Sequence, residues 1–132
     1  MEGALTYLAV ATGGALGSVA RFWLTGAMTA LTGPWFRPWF PWGTLLINVV
    51  GSCVIGIVAG ISLTPDRVRL HPDLRIFLMT GVCGGFTTFS AFSLQTLELI
   101  ESGELLAAAG YIVGSVVLCL VFVWVGWKLG RL

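Results

Sequence analysis

The chain has 132 residues, of which 57% are hydrophobic and only 10% charged, with a net charge of +1. A soluble domain carries about 25% charged residues, so seven basic and six acidic side chains cannot cover a water-soluble globule of this size. The near-neutral balance excludes a basic face for nucleic acid, and the 18 glycines follow no G-X-Y period, which excludes collagen. An integral membrane protein remains.

A spanning helix needs about 20 mostly apolar residues, and four such stretches follow in chain order. The first, Ala4–Leu31, is interrupted by Arg21. No positive n-region precedes it, so it is expected to persist as a membrane helix and not to act as a signal peptide. The linker Gly33–Pro41 contains Pro34-Trp35-Phe36 and Pro38-Trp39-Phe40, which forbid a continuous helix and place indoles at the headgroup level. The second span, Trp42–Leu63, has Asn48 as its lone strongly polar side chain. Thr44, Asn48 and Ser52 recur at i, i+4 and i+8, along one helical face.

After Thr64–Asp73 comes the third span, Leu74–Leu99, and after Glu101–Glu104 the fourth, Leu105–Leu129. Tyr111, Ser115 and Cys119 repeat the polar stripe in the fourth, and Trp124, Trp127 and Lys128 mark the opposite interface. The linkers are short, so the helices are antiparallel neighbours in one four-span membrane domain covering residues 1–132. Four spans put Arg67, Arg69, Arg75, Lys128 and Arg131 on one side and Arg37 on the other. That bias favours cytoplasmic termini.

Cys53, Cys83 and Cys119 sit singly in apolar runs, which fits free thiols and neither a zinc site nor a disulfide framework. His71 is the only histidine, so no nucleophile–base–metal set can be assembled and an enzyme is not expected. Polar groups within the spans are the functional or packing candidates. Asn48 is either interhelical glue or pore lining on this evidence alone. Single hydroxyls most often bond the backbone four residues back.

The third span is the most unusual. Gly84-Gly85 followed by Thr87-Thr88 makes a poor helix centre, since each glycine costs about 1 kcal/mol against alanine. A break near Gly84-Gly85 would free backbone groups at membrane depth, where they survive only buried in protein or lining a cavity. Phe86, Phe89 and Phe92 follow at the spacing of one ridge. Glycines four apart occur at 13/17, 56/60, 81/85, 110/114 and 126/130. This modest excess supports close helix packing without assigning an interface.

Three segments carry a family resemblance. Residues 13–22 read Gly-Gly-Ala-Leu-Gly-Ser-Val-Ala-Arg-Phe and resemble a GGxxGxxxR motif followed by an aromatic. Residues 42–51, Trp-Gly-Thr-Leu-Leu-Ile-Asn-Val-Val-Gly, resemble GTLxxNxxG, and residues 84–93, Gly-Gly-Phe-Thr-Thr-Phe-Ser-Ala-Phe-Ser, resemble GGxTTFSTF. Each motif alone is weak, but their order and spacing together resemble the bacterial fluoride channels called Fluc or CrcB.

The resemblance implies a fluoride-selective channel for passive efflux and fluoride resistance, in the bacterial inner membrane. It implies an all-α, dual-topology homodimer of antiparallel chains with two pores. By similarity, Asn48 would donate its amide to the ion, and Phe89 and Phe92 would present ring edges to it. Thr44, Ser90, Tyr111 and Ser115 would line the polar track. Gly84 and Thr87 would offer backbone carbonyls to a structural sodium ion on the dimer axis, and Arg21 would belong to a vestibule.

The sequence departs from the pattern at Ala91, where the box has threonine, and at Gln95, where some members carry a carboxylate. The basic bias is in tension with dual insertion. Two other readings are a small dual-topology multidrug exporter and a non-conducting membrane scaffold. The exporter wants an intramembrane carboxylate, whereas the acids here lie at or near span ends.

Overall fold

A computed structural model describes residues 3–32, 39–62 and 70–132. Arg37, Arg67, Arg69, Glu2, Asp66 and the first Pro-Trp-Phe triplet lie outside the described residues, and with them half of the six basic residues in the charge tally. Among the described residues every regular element is helical. We label them α1 (Ala4–Thr32), α2 (Trp42–Ser62), α3 (residues 72–86), α4 (Phe89–Glu101) and α5 (Leu105–Leu129).

Three stretches, Trp42–Ser62, Pro72–Glu101 and Leu105–Leu129, are long and apolar enough to cross a membrane. At 1.5 Å per residue the 21 residues of α2 span about 31 Å, close to the roughly 30 Å hydrocarbon core. The 29 residues of α1 have the length but not the apolarity, because Gly13, Gly14, Gly17, Ser18 and Arg21 dilute its centre. Length and composition therefore support three of the four expected spans.

The side-chain distribution suits lipid. Leu106 and Phe22 are 90% and 83% exposed, whereas α5 turns Ala108, Tyr111, Ser115 and Gly126 inward. Large apolar groups outside and small or polar groups inside invert the soluble pattern.

Glycines set the packing. A Cβ on Gly17 would strike the Val82 carbonyl, and one on Gly85 the Gly14 carbonyl; Gly13 and Gly81 face each other in the same contact. These four join α1 to α3. Likewise Gly56 meets Val123, Gly126 meets Cys53 and Gly130 meets Ile57, which closes α2 onto α5. Four of the five glycine pairs thus mate into two helix contacts, while Gly110 and Gly114 face open space.

The third span is interrupted, but the glycines are not the interruption. α3 starts at Pro72 behind His71, whose side chain accepts from the Asp73 N–H, and becomes a π-helix over Phe77–Cys83. Gly84–Phe86 returns to α-helix, with Gly84 at φ −64° and ψ −38°. The chain breaks at Thr87 and Thr88, which are extended (φ −84°, ψ 158° and φ −152°, ψ 113°). The glycines are kept small for α1, and the break falls two residues later. Phe86 consequently does not continue the Phe89–Phe92 ridge: it packs beside Gly51 on the far side of the break. A turn through Gly103 at φ 79° joins α4 to α5, with the Glu104 N–H on the Leu99 carbonyl at 2.9 Å.

Candidate functional site

The break is held from 40 residues away. Asn48 on α2 accepts the Thr88 N–H on Oδ1 at 2.9 Å and donates Nδ2 to the Thr88 carbonyl at 3.2 Å. A side-chain amide presents the same donor and acceptor as a peptide, so this clamp replaces the ladder bonds that an extended residue forfeits. The Asn48 amide keeps a second N–H, and Asn48 lines a cavity. Thr88 in turn caps α4, its Oγ1 accepting the Ala91 N–H at 3.2 Å and pairing with Ser90 Oγ at 3.2 Å.

These substitutions displace two helical donors. The Thr88 N–H would otherwise reach the Gly84 carbonyl, and the Ala91 N–H the Thr87 carbonyl, each four residues back. Both instead go to side chains. The break leaves the Gly84, Gly85, Phe86 and Thr87 carbonyls without their usual helical donors, and the two that resemblance assigns to a sodium ion are among them. The donor chemistry suits a hard cation.

Beside the clamp lies a cavity of about 300 Å³. Asn48, Ser52, Phe89, Phe92, Ser115 and Cys119 contribute to its wall, so two of the three residues in each stripe expected on α2 and α5 converge on one space, while Thr44 and Tyr111 do not line it. Ser115 is 6% exposed, and its Oγ finds no hydrogen-bond partner among the described residues. A buried hydroxyl without a partner carries a desolvation cost, which a polar occupant of the cavity would relieve. The Phe89 and Phe92 rings lie 5.4 Å apart at 43°, with Phe89 79% exposed.

A second cavity, about 600 Å³, opens at the other end of the same α2 face. Thr44 and Gln95 stand in its wall. Beside both spaces sits Tyr111, 1% exposed, donating to Gln95 Oε1 at 3.1 Å and 5.1 Å from the Phe92 ring. Gln95, absent from the expected site, is therefore the phenol's partner.

The remaining candidates fall elsewhere. Ser90 is exposed and lines neither cavity, and the Thr87 hydroxyl returns to the Cys83 carbonyl at 2.8 Å. Arg21 is half-buried and outside both cavity walls, though its neighbour one turn on, Thr25, lines the second. Thr88 was the residue that motif reasoning missed as a hub; its signal is a threonine directly before a helical run.

A multi-pass membrane protein with uncharged hydrogen-bonding groups and aromatic rings around one cavity is of the class that passes a small polar solute or ion. Residues 8–127 match the family described as CrcB-like protein, Camphor Resistance (CrcB), and the chain belongs to that family. It is 53% identical to a "Fluoride-specific ion channel FluC" from Rhodospirillum rubrum, over 92% of each chain. Relatives with the same name from Opitutus terrae and Nitrobacter winogradskyi are 53% and 59% identical. They cover 91% and 84% of this chain, and 88% and 83% of their own.

Proposed function

We propose that this protein is a fluoride channel that lets the ion leave passively and so confers fluoride resistance, and that it is not an enzyme. The cavity beside the Asn48 clamp carries the reading, because Asn48, Ser115 and the Phe89–Phe92 pair bring an amide, an unpartnered hydroxyl and two rings to one space. Fluoride is small and strongly hydrated, so its water must be replaced by donors that do not trap it. Amide and hydroxyl groups do this without a fixed charge, and an aromatic edge carries the positive part of the ring quadrupole. The names of the curated relatives point to the same ion.

The working unit is a homodimer of antiparallel chains with two pores, embedded in lipid of a bacterial inner membrane, with α1 as a fourth span. The exposure of Phe89 beside the cavity supports a second copy as its missing wall. Gly84 is exposed too, and a Cβ there would meet only the Met79 carbonyl, at 3.9 Å. Sodium held by the Gly84 and Thr87 carbonyls would neutralise their partial charge at the break. The multidrug-exporter reading is disfavoured because Glu98, Glu101 and Glu104 cluster at one helix end. A scaffold would not need an amide, an unpartnered hydroxyl and two rings gathered around one cavity.

Fluoride efflux from liposomes holding purified protein, followed with an ion-selective electrode, tests the activity. Release of fluoride but not chloride is expected; no fluoride release, or equal chloride release, refutes it. A single cysteine at position 102, in a background lacking native cysteines, should be labelled from both sides of the membrane. One-sided labelling would reject dual topology.

A further inference from the structure

The cavity beside the Asn48 clamp carries two thiols that the channel reading does not use. Cys83 on α3 and Cys119 on α5 both line it, whereas Cys53 lines neither cavity. All three cysteines are free, and Cys83 is 3% exposed. Cys119 follows Ser115 by one turn of α5. Ser115 stands in the same wall, 6% exposed, and its Oγ has no partner among the described residues. Two helices thus bring two sulfur donors and an unpartnered hydroxyl to one space.

The lining also selects the ligand. Thiolates favour soft metal ions. Among the described residues no charged side chain stands in the wall, so an occupant with net charge would find no counter-charge at membrane depth. A divalent ion that displaces the proton from each of two thiols is neutral once bound. Zinc meets that condition but takes four ligands, and among the described residues the wall offers two thiols and no histidine. Mercury(II) is soft, divalent and satisfied by two sulfurs in line. We infer that Cys83 and Cys119 form a two-thiol site for a soft divalent ion of the mercury(II) kind, and that its occupation closes the cavity to fluoride; the closure rests on the channel reading above. Mercuric chloride delivers the ion as an uncharged molecule. Two S–H bonds break and two S–Hg bonds form, two chloride ions leave with two protons, and no electron changes hands. The bound ion then occupies the wall that Asn48, Ser115 and Phe92 share.

The test adds mercuric chloride to proteoliposomes releasing fluoride, and divides each protein's rate by its own rate without mercury. The Cys53→Ser protein keeps both cavity thiols; it should lose efflux and regain it with excess dithiothreitol. Cys53→Ser/Cys119→Ser and Cys53→Ser/Cys83→Ser should keep their rates, and Cys119→Ala and Cys83→Ala in the same background replace any serine variant that assembles poorly. Zinc chloride should slow none of them. The intact mass of the Cys53→Ser protein, read without reference to transport, should gain a single mercury and lose two hydrogens, with no chlorine retained. A chlorine-bearing adduct, or a block that survives removal of either cavity thiol, would overturn the two-thiol site. The expected adduct with undiminished efflux would overturn the closure. No fluoride release before mercury is added would remove the channel reading, while the mass still decides the site.

Discussion

Removing the Asn48 clamp should destabilise the fold whatever the protein conducts, and the size of the loss can be worked from two bonds. Asn48→Leu deletes the acceptor for the Thr88 N–H at 2.9 Å and the donor to the Thr88 carbonyl at 3.2 Å. Interhelical hydrogen bonds within membranes are worth about 0.6–1.7 kcal/mol each, so the pair is worth about 1–3 kcal/mol. Thr88 is 9% exposed, which leaves its orphaned peptide groups little access to water. Asn48→Asp keeps the acceptor and loses the donor, and should fall between the two. The assay is unfolding in mixed micelles by titration with a denaturing detergent, followed by helical circular dichroism. A midpoint for Asn48→Leu equal to that of the unsubstituted protein would refute the clamp. So would Asn48→Asp as damaging as Asn48→Leu, since one bond should survive in it.

The other expectations separate stability from conduction. Gly17→Ala should cost about 1–3 kcal/mol by overpacking against the Val82 carbonyl. Gly110→Ala, which faces open space, should leave the same unfolding midpoint unchanged or slightly raised. Ser115→Ala should not lower stability, because the hydroxyl it removes has no partner among the described residues, yet it should slow fluoride efflux; unaltered efflux would detach Ser115 from the ion path. Phe89→Ile and Phe92→Ile should reduce efflux while the size-exclusion profile of the purified protein stays the same, and normal rates in both would contradict a role for the rings.

Much of this architecture was legible because it depends on helical periodicity. Thr44, Asn48 and Ser52 needed only a period of 3.6 to share a face, and the same rule joined Ser115 to Cys119 in the cavity wall. The break was harder. Local propensity points to Gly84-Gly85 because glycine is a weak helix former, but propensity knows nothing of a helix lying alongside. Gly85 is small because Gly14 passes against it. What ends the helix is a bond from Asn48, 40 residues away, together with the Thr88 cap. The count of glycine pairs could not say which mated with which, since 13/17 with 81/85 and 56/60 with 126/130 is tertiary information. Tyr111 and Gln95 likewise meet across 16 residues, and nothing local pairs them.

The scarcity of charge acquires a spatial meaning from the two cavities. The one beside Asn48 holds an amide, hydroxyls, thiols and rings but, among the described residues, no charged side chain, as a path requires if an ion is to leave as readily as it enters. A cation there would add attraction at the point where desolvation already makes every interaction strong. Glu98 and Glu104 stand instead in the wall of the second cavity at exposed positions, where water and salt weaken them.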